Sequence, residues 1–284
     1  MCKKNTIDNN IPDWMKNKYN DDSQKRERAE NEVKFVLPKG VLSELKKNFD
    51  LEVKLIDQIY LEKFIVDSFK DDLLLPQDDI YKYKEYRIRH KGEDYFFTAK
   101  SVARQDGIQR DEYEKKIDNL LFDKIKRKSN QIANLKRVKK TRYVFKTVFA
   151  QKEVLVELDD YHITGKGEHS YDFVTCEVEV PEVRFAQILQ KDRFFAKDLL
   201  FLKQGFDVTG IINFSNRKLA EYGFVSDSFS GIKNWLQTFH SSNIQAFLNS
   251  LSNNNPEEII KAKESLEKIE LIITRAAKKY PQVI

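Results

Sequence analysis

Glu30-Asn31-Glu32-Val33-Lys34-Phe35 opens the stretch whose reading decides the fold, because charged and apolar side chains begin to alternate there. Residues two apart on a strand share a face, so Glu30, Glu32 and Lys34 stand together while Val33 and Phe35 point the other way. The alternation recurs downstream. Arg87 and Arg89 oppose Tyr86 and Ile88, Lys100 closes the run Tyr95-Phe96-Phe97-Thr98-Ala99, and Glu112 and Glu114 flank Tyr113. Lys140 and Arg142 oppose Tyr143 and Phe145. Glu157 and Asp159 oppose Val156 and Leu158, and Glu177 and Glu179 oppose Cys176, Val178 and Val180. Eight carboxylates and six cations therefore project from seven expected strands.

An ordinary two-faced sheet would turn this side to water. A solvated face usually mixes neutral polar residues with lysine, whereas here carboxylates double up on single strands. Two carboxylates about 5 Å apart repel by about 3 kcal/mol at an effective dielectric of about 20, and by under about 1 kcal/mol in open water. An enclosed acidic surface therefore calls for bound cations. Carboxylate oxygens suit hard ions such as Mg²⁺ or Mn²⁺, and lysines and arginines suit a polyanion that the same ions help neutralise. The expected architecture is α+β, a closed antiparallel β-barrel that is polar inside and has helices packed outside.

The rest of the chain fits around this core. Residues 1–28 read as a polar leader. The alternation runs from about 29 to 180, interrupted or followed by helical patterns at about 116–133 and 182–203. After Gly223 two helical segments, about 231–251 and 256–279, suggest a C-terminal helical hairpin over 225–284. The second carries an apolar stripe from Ile259 to Tyr280, fit to pack on the barrel or to make a homodimer or partner contact. Among 284 residues there are 50 basic and 45 acidic side chains, a mild excess that favours anionic partners. Nine lysines and arginines fall between Lys124 and Arg142, but without the interleaved aromatics of a stacking platform. Nucleic acid is accordingly not expected as a partner, a 5′-triphosphate RNA end excepted. Two cysteines, Cys2 and Cys176, supply no disulfide framework, and no apolar run is long enough to span a bilayer. A cytoplasmic protein without a membrane partner is expected.

The order of charged motifs is specific. E-x-E-x-K at Glu30 to Lys34 is followed by R-I-R at Arg87 to Arg89, T-A-K ending at Lys100 and R-D-E-Y-E at Arg110 to Glu114. Then come K-T-R at Lys140 to Arg142, V-E-L-D at Val156 to Asp159, E-V-E-V at Glu177 to Val180, and V-T-G with S-N-R-K-L-A between Val208 and Ala220. Residues 29–222 in this order resemble the triphosphate tunnel metalloenzymes, the CYTH superfamily. The resemblance implies an eight-stranded antiparallel tunnel that binds a triphosphate-containing small molecule with Mg²⁺ or Mn²⁺. It implies Glu30, Glu32, Asp159, Glu177 and Glu179 as metal-binding acids, with Glu157 close by and Glu112 and Glu114 serving a second metal. Lys34, Arg87, Arg89, Lys100 and Arg142 are implied as triphosphate ligands, with Lys140 added because it shares the face of Arg142. In hydrolytic members a lysine at the place of Lys100, near a tyrosine, is a general base; Tyr60 is the counterpart here.

Hydrolysis and nucleotide cyclisation use the same charged walls. Class IV adenylate cyclases tend to carry a His-Phe pair before the first strand, where this chain has Gln24-Lys25-Arg26-Glu27-Arg28. Metal-dependent triphosphate hydrolysis is therefore the favoured reading, with a cyclase as runner-up and a non-catalytic polyphosphate or nucleotide sensor as the third. The group attached to the triphosphate is expected to be read at the entrance, by loops such as Asp67 to Asp79 and Thr164 to Tyr171.

Overall fold

The alternating runs become strands, and their pairing closes on itself. The computed structural model describes residues 26–75, 82–104, 107–131, 135–191 and 197–252. Its strands are β1 (Arg26–Pro38), β2 (Glu52–Leu61), β3 (Tyr83–Lys91), β4 (Asp94–Ser101), β5 (Gln109–Ile117), β6 (Arg137–Phe149), β7 (Lys152–Thr164), β8 (Gly167–Glu168), β9 (Phe173–Glu179) and β10 (Phe206–Asp207). Eight of them form a closed ring of antiparallel hydrogen bonds in the order β1-β5-β4-β3-β2-β6-β7-β9. The ring closes because β1, 13 residues long, pairs with β5 through residues 26–31 and with β9 through residues 32–38. β10 adds to β1 and β8 to β7 as short appendages.

The outward faces are apolar and covered, as their alternation requires. On one side, Val33, Phe35, Val156, Leu158, Cys176 and Val178 are buried beneath α1 (Val41–Asn48), the helix Val183–Lys191 and a 3-10 segment, Lys197–Gln204. On the other, Tyr86, Ile88, Phe97, Ala99 and Tyr113 pack against α2 (Lys63–Ser68), α3 (Lys70–Leu73) and α4 (Asn119–Asn130).

Several expected boundaries move. Lys116 and Ile117 belong to β5; the helix starts only after Asp118, whose carboxylate caps it by accepting from the Leu121 amide at 2.7 Å. The pattern expected as one helix over 182–203 is α5 (Val183–Lys191) followed by the 3-10 segment, in which Leu199 and Leu202 are buried three residues apart, the 3-10 repeat. α1, α2, α3 and α6 (Asn216–Tyr222) were not anticipated, since four to eight residues give too few turns for a periodic signal. β1 begins at Arg26, inside the expected leader; residues 1–25 lie outside the described residues.

The first part of the expected C-terminal helical extension packs against the ring. One end of the inner face carries Val36, Tyr60, Val138, Tyr161 and Phe173, which cluster with Phe206, Phe214, Phe224, Ile232 and Leu236. The last two lie on α7 (Phe229–Ser252), the first helix of the expected hairpin. The second helix, with its Ile259 to Tyr280 stripe, lies outside the described residues. No helix among the described residues is long and apolar enough to cross a membrane.

Candidate active site

Above that apolar stopper the ring encloses a cavity of about 720 Å³. Eleven basic and eight acidic side chains line it among the described residues, an excess of positive charge that suits an anion. Glu30, Glu32, Lys34, Arg87, Arg89, Lys100, Glu112, Glu114, Lys140, Arg142, Glu157, Glu177 and Glu179 all line it, as their shared strand faces require. Tyr60 and Asp159 do not.

The acids gather where β1 meets β9. Glu32 and Glu179 are register partners, as are Lys34 and Glu177, and Glu157 of β7 lies opposite Glu177. Burial, and then the charge of Glu30, pushes the Glu32 carboxyl up to about 7, against the pull of Arg110, which donates to it at 2.8 Å. Burial alone would also raise Glu177. Lys34, at 2.8 Å, with Arg142 and Lys140, outweighs that and holds Glu177 well below the usual carboxylate range.

The cations occupy the facing strands. Arg142 of β6 donates to Asp159 at 2.6 and 2.7 Å, to Glu177 at 3.0 Å and to Glu157. Asp159 is completely buried beneath Arg142 and Lys140, so it orients those two cations and does not face the cavity as an expected metal ligand would. Burial, and then Arg142, pulls the Lys140 amine down to about 8. Lys100 goes the other way. Burial would lower it, but Glu112 at 2.7 Å and Glu30 at 2.5 Å raise it, so this amine is a firmly held ammonium. Tyr60, whose hydroxyl accepts from Gln58 at 3.0 Å, sits in the stopper and is raised by burial. Tyr60 does not line the cavity, and it and Lys100, expected as partners, both have Arg87 as a neighbour.

Sequence reasoning missed Glu85, Lys91 and Arg110, which also line the cavity. Each lies two residues from a named one, so the alternation that found Arg87, Arg89 and Glu112 extends to them. Of the loops expected to form the entrance, residues 76–79 lie outside the described residues, Asp67 pairs with Lys63 on α2 and Tyr171 is buried against Phe173 and Phe224, while residues 102–103, 107 and 208–211 contribute to the lining.

Two observations bear on ligands. The Nε–H groups of Arg87, Arg89 and Arg110 are buried and meet no acceptor among the described residues, an arrangement that costs free energy until an anion arrives. As the side chains stand, no three acids among the described residues are close enough together to hold a metal ion. Their chemistry nevertheless suits a hard divalent cation: Glu30, Glu32, Glu177 and Glu179 offer oxygen donors from adjacent strands, and burial together with the charge of Glu30 raises Glu32, a cost that a bound cation would offset.

No protein-family model matches the chain and no curated protein matches it. Similar solved structures include an adenylyl cyclase candidate from Hippeastrum described by a dominant triphosphatase activity, with a TM-score of 0.38 and 16% identity over 56% of this chain and 83% of that one. A conserved hypothetical protein from Pyrococcus furiosus gives 0.37 and 18%, covering 62% of this chain and 99% of its own. An adenylate cyclase candidate from Bacillus halodurans gives 0.33 and 13%, over 58% and 89%. At these scores and identities the likeness assigns no activity to this chain.

Proposed function

We propose that the chain is a divalent-metal-dependent hydrolase of a triphosphate, which it holds inside a closed eight-stranded β-barrel. The observation that carries this reading is the joint presence, in one enclosed cavity, of a carboxylate cluster on β1 and β9 and a set of buried guanidinium donors lacking acceptors on β3 and β5. The motif order resembling the triphosphate tunnel metalloenzymes points the same way.

Arg87, Arg89, Arg142, Lys34 and Lys100 bind the phosphate chain and neutralise its charge. Positioned cations of this kind stabilise the charge that develops as a terminal phosphoryl group separates. Glu30, Glu32, Glu177 and Glu179, with Glu157 beside them, would hold Mg²⁺ or Mn²⁺, which when bound polarises phosphoryl oxygens and lowers the pKa of water. Asp159 orients Arg142 from below. Lys140 Nζ, with its amine at about 8, is better placed to give up a proton near neutral pH than Lys100 Nζ, which Glu112 and Glu30 hold protonated.

Incubation with tripolyphosphate, ATP and thiamine triphosphate, in Mg²⁺, Mn²⁺ or chelator, tests the proposal through its products. Metal-dependent orthophosphate is expected. Pyrophosphate with cyclic AMP would replace this reading with a cyclase, and binding without any product would replace it with a sensor.

A further inference from the structure

The carboxylates of the cavity differ in how they are held. Lys100 pairs with Glu30 at 2.5 Å and with Glu112 at 2.7 Å, Arg110 with Glu32 at 2.8 Å and Lys34 with Glu177 at 2.8 Å, while Arg89 takes Glu114 and Arg142 takes Glu157. Glu85 lines the same cavity, yet among the described residues it makes no hydrogen bond and has no cation within ion-pair distance. It stands first in the inward row Glu85, Arg87, Arg89 and Lys91 of β3, at the end next to Tyr60 and the apolar stopper.

Its field reaches two groups that await an anion. Burial would lower Arg87, and Tyr60, Glu112 and Glu85 raise it; burial would lower Arg110, and Glu32, Glu30 and Glu85 raise it. Both arginines carry a buried Nε–H that meets no acceptor among the described residues. A phosphate oxygen that supplied the missing acceptor would come to rest near a carboxylate that no cation holds. Like charges brought together in this way weaken binding, so the placement of Glu85 works against affinity. It suits proton transfer instead, because a carboxylate outside any ion pair keeps its lone pairs available to a water molecule.

Resting on the hydrolase reading above, we infer that Glu85 is the general base of the reaction. A phosphate chain lying along Arg89 and Arg87 ends with its terminal phosphoryl group beside Glu85. There the oxygen of a water molecule bonds to the terminal phosphorus and its proton passes to the Glu85 carboxylate. The bond from that phosphorus to the bridging oxygen breaks, and its electron pair leaves on the diphosphate.

Glu85→Gln and Glu85→Asp are assayed in Mg²⁺ on whichever of tripolyphosphate, ATP and thiamine triphosphate the wild-type protein hydrolyses fastest. Calorimetry gives the Kd of each protein for imidotriphosphate, which is not hydrolysed. In Glu85→Gln, kcat is expected to fall by about a hundredfold or more. Imidotriphosphate should bind this variant about threefold more tightly, because the repulsion between carboxylate and phosphate is gone. Glu85→Asp, which keeps the carboxylate on a shorter side chain, should turn over faster than Glu85→Gln. A residue that only supports the fold would weaken binding and lower kcat together in both variants. That pattern, a wild-type kcat in Glu85→Gln, or the weaker binding that loss of a metal ligand would cause, would overturn the inference and leave the hydrolase reading standing. Absence of turnover by the wild-type protein on all three substrates would overturn both.

Discussion

Glu32→Gln is expected to make the metal-free protein more stable while ending metal-dependent turnover. The carboxyl lies at about 7 in the folded chain, against an ordinary 4.5. Below pH 4.5 it is protonated whether the chain is folded or not, and contributes nothing. Between 4.5 and about 7 the unfolded chain ionises first, so the folded state loses stability as pH rises, and above about 7 the whole cost is present. At about 1.4 kcal/mol per pH unit, that cost is about 3 kcal/mol. Glutamine keeps an oxygen to accept from Arg110 and carries no charge. Thermal melts in chelator from pH 4 to 8.5 should therefore show the variant equal to wild type at the acid end and about 5–10 °C higher above pH 7. Added Mg²⁺ should narrow the gap, because a bound cation stabilises the ionised carboxylate only in the wild type. A variant no more stable than wild type at pH 8, or a gap of the same size at every pH, would show that Glu32 carries no such buried charge.

Arg142→Leu should have the opposite effect on stability, since it leaves Asp159, Glu157 and Glu177 buried without their common partner. Breaking a buried pair costs about 3–5 kcal/mol, so the melting temperature should fall by about 10 °C, and adding Glu157→Gln should restore part of it; an unchanged melt would refute this. Arg89→Ala should raise KM by about tenfold or more through loss of a charge-assisted phosphate contact, and an unchanged KM would count against its phosphate role.

Much of the site was legible because strand alternation is a local property. Once Glu30, Glu32 and Lys34 are placed on one face, sterics of the extended backbone put Val33 and Phe35 on the other, and no long-range information is needed. Glu85, Lys91 and Arg110 were equally accessible to that rule and were simply not followed along their strands. Asp159 and Tyr60 obey it as well, yet their surroundings were hidden. Whether an inward side chain reaches open cavity, lies beneath Arg142 or joins an apolar stopper depends on distant partners, 17 residues away for Asp159 and Arg142 and farther for Tyr60 and Leu236.

Alternation and motif order by themselves determined that this chain builds an antiparallel sheet with one charged and one apolar face, and which side chains share the charged face. Contacts between distant segments set how the expected closure is made, with β1 pairing to both β5 and β9, and bring residues 206–236 to stop one end of the ring. The physical reason is that period-two geometry is set within a few residues of backbone, whereas ring closure, burial and the pKa values that follow from it arise from contacts between segments far apart in the chain.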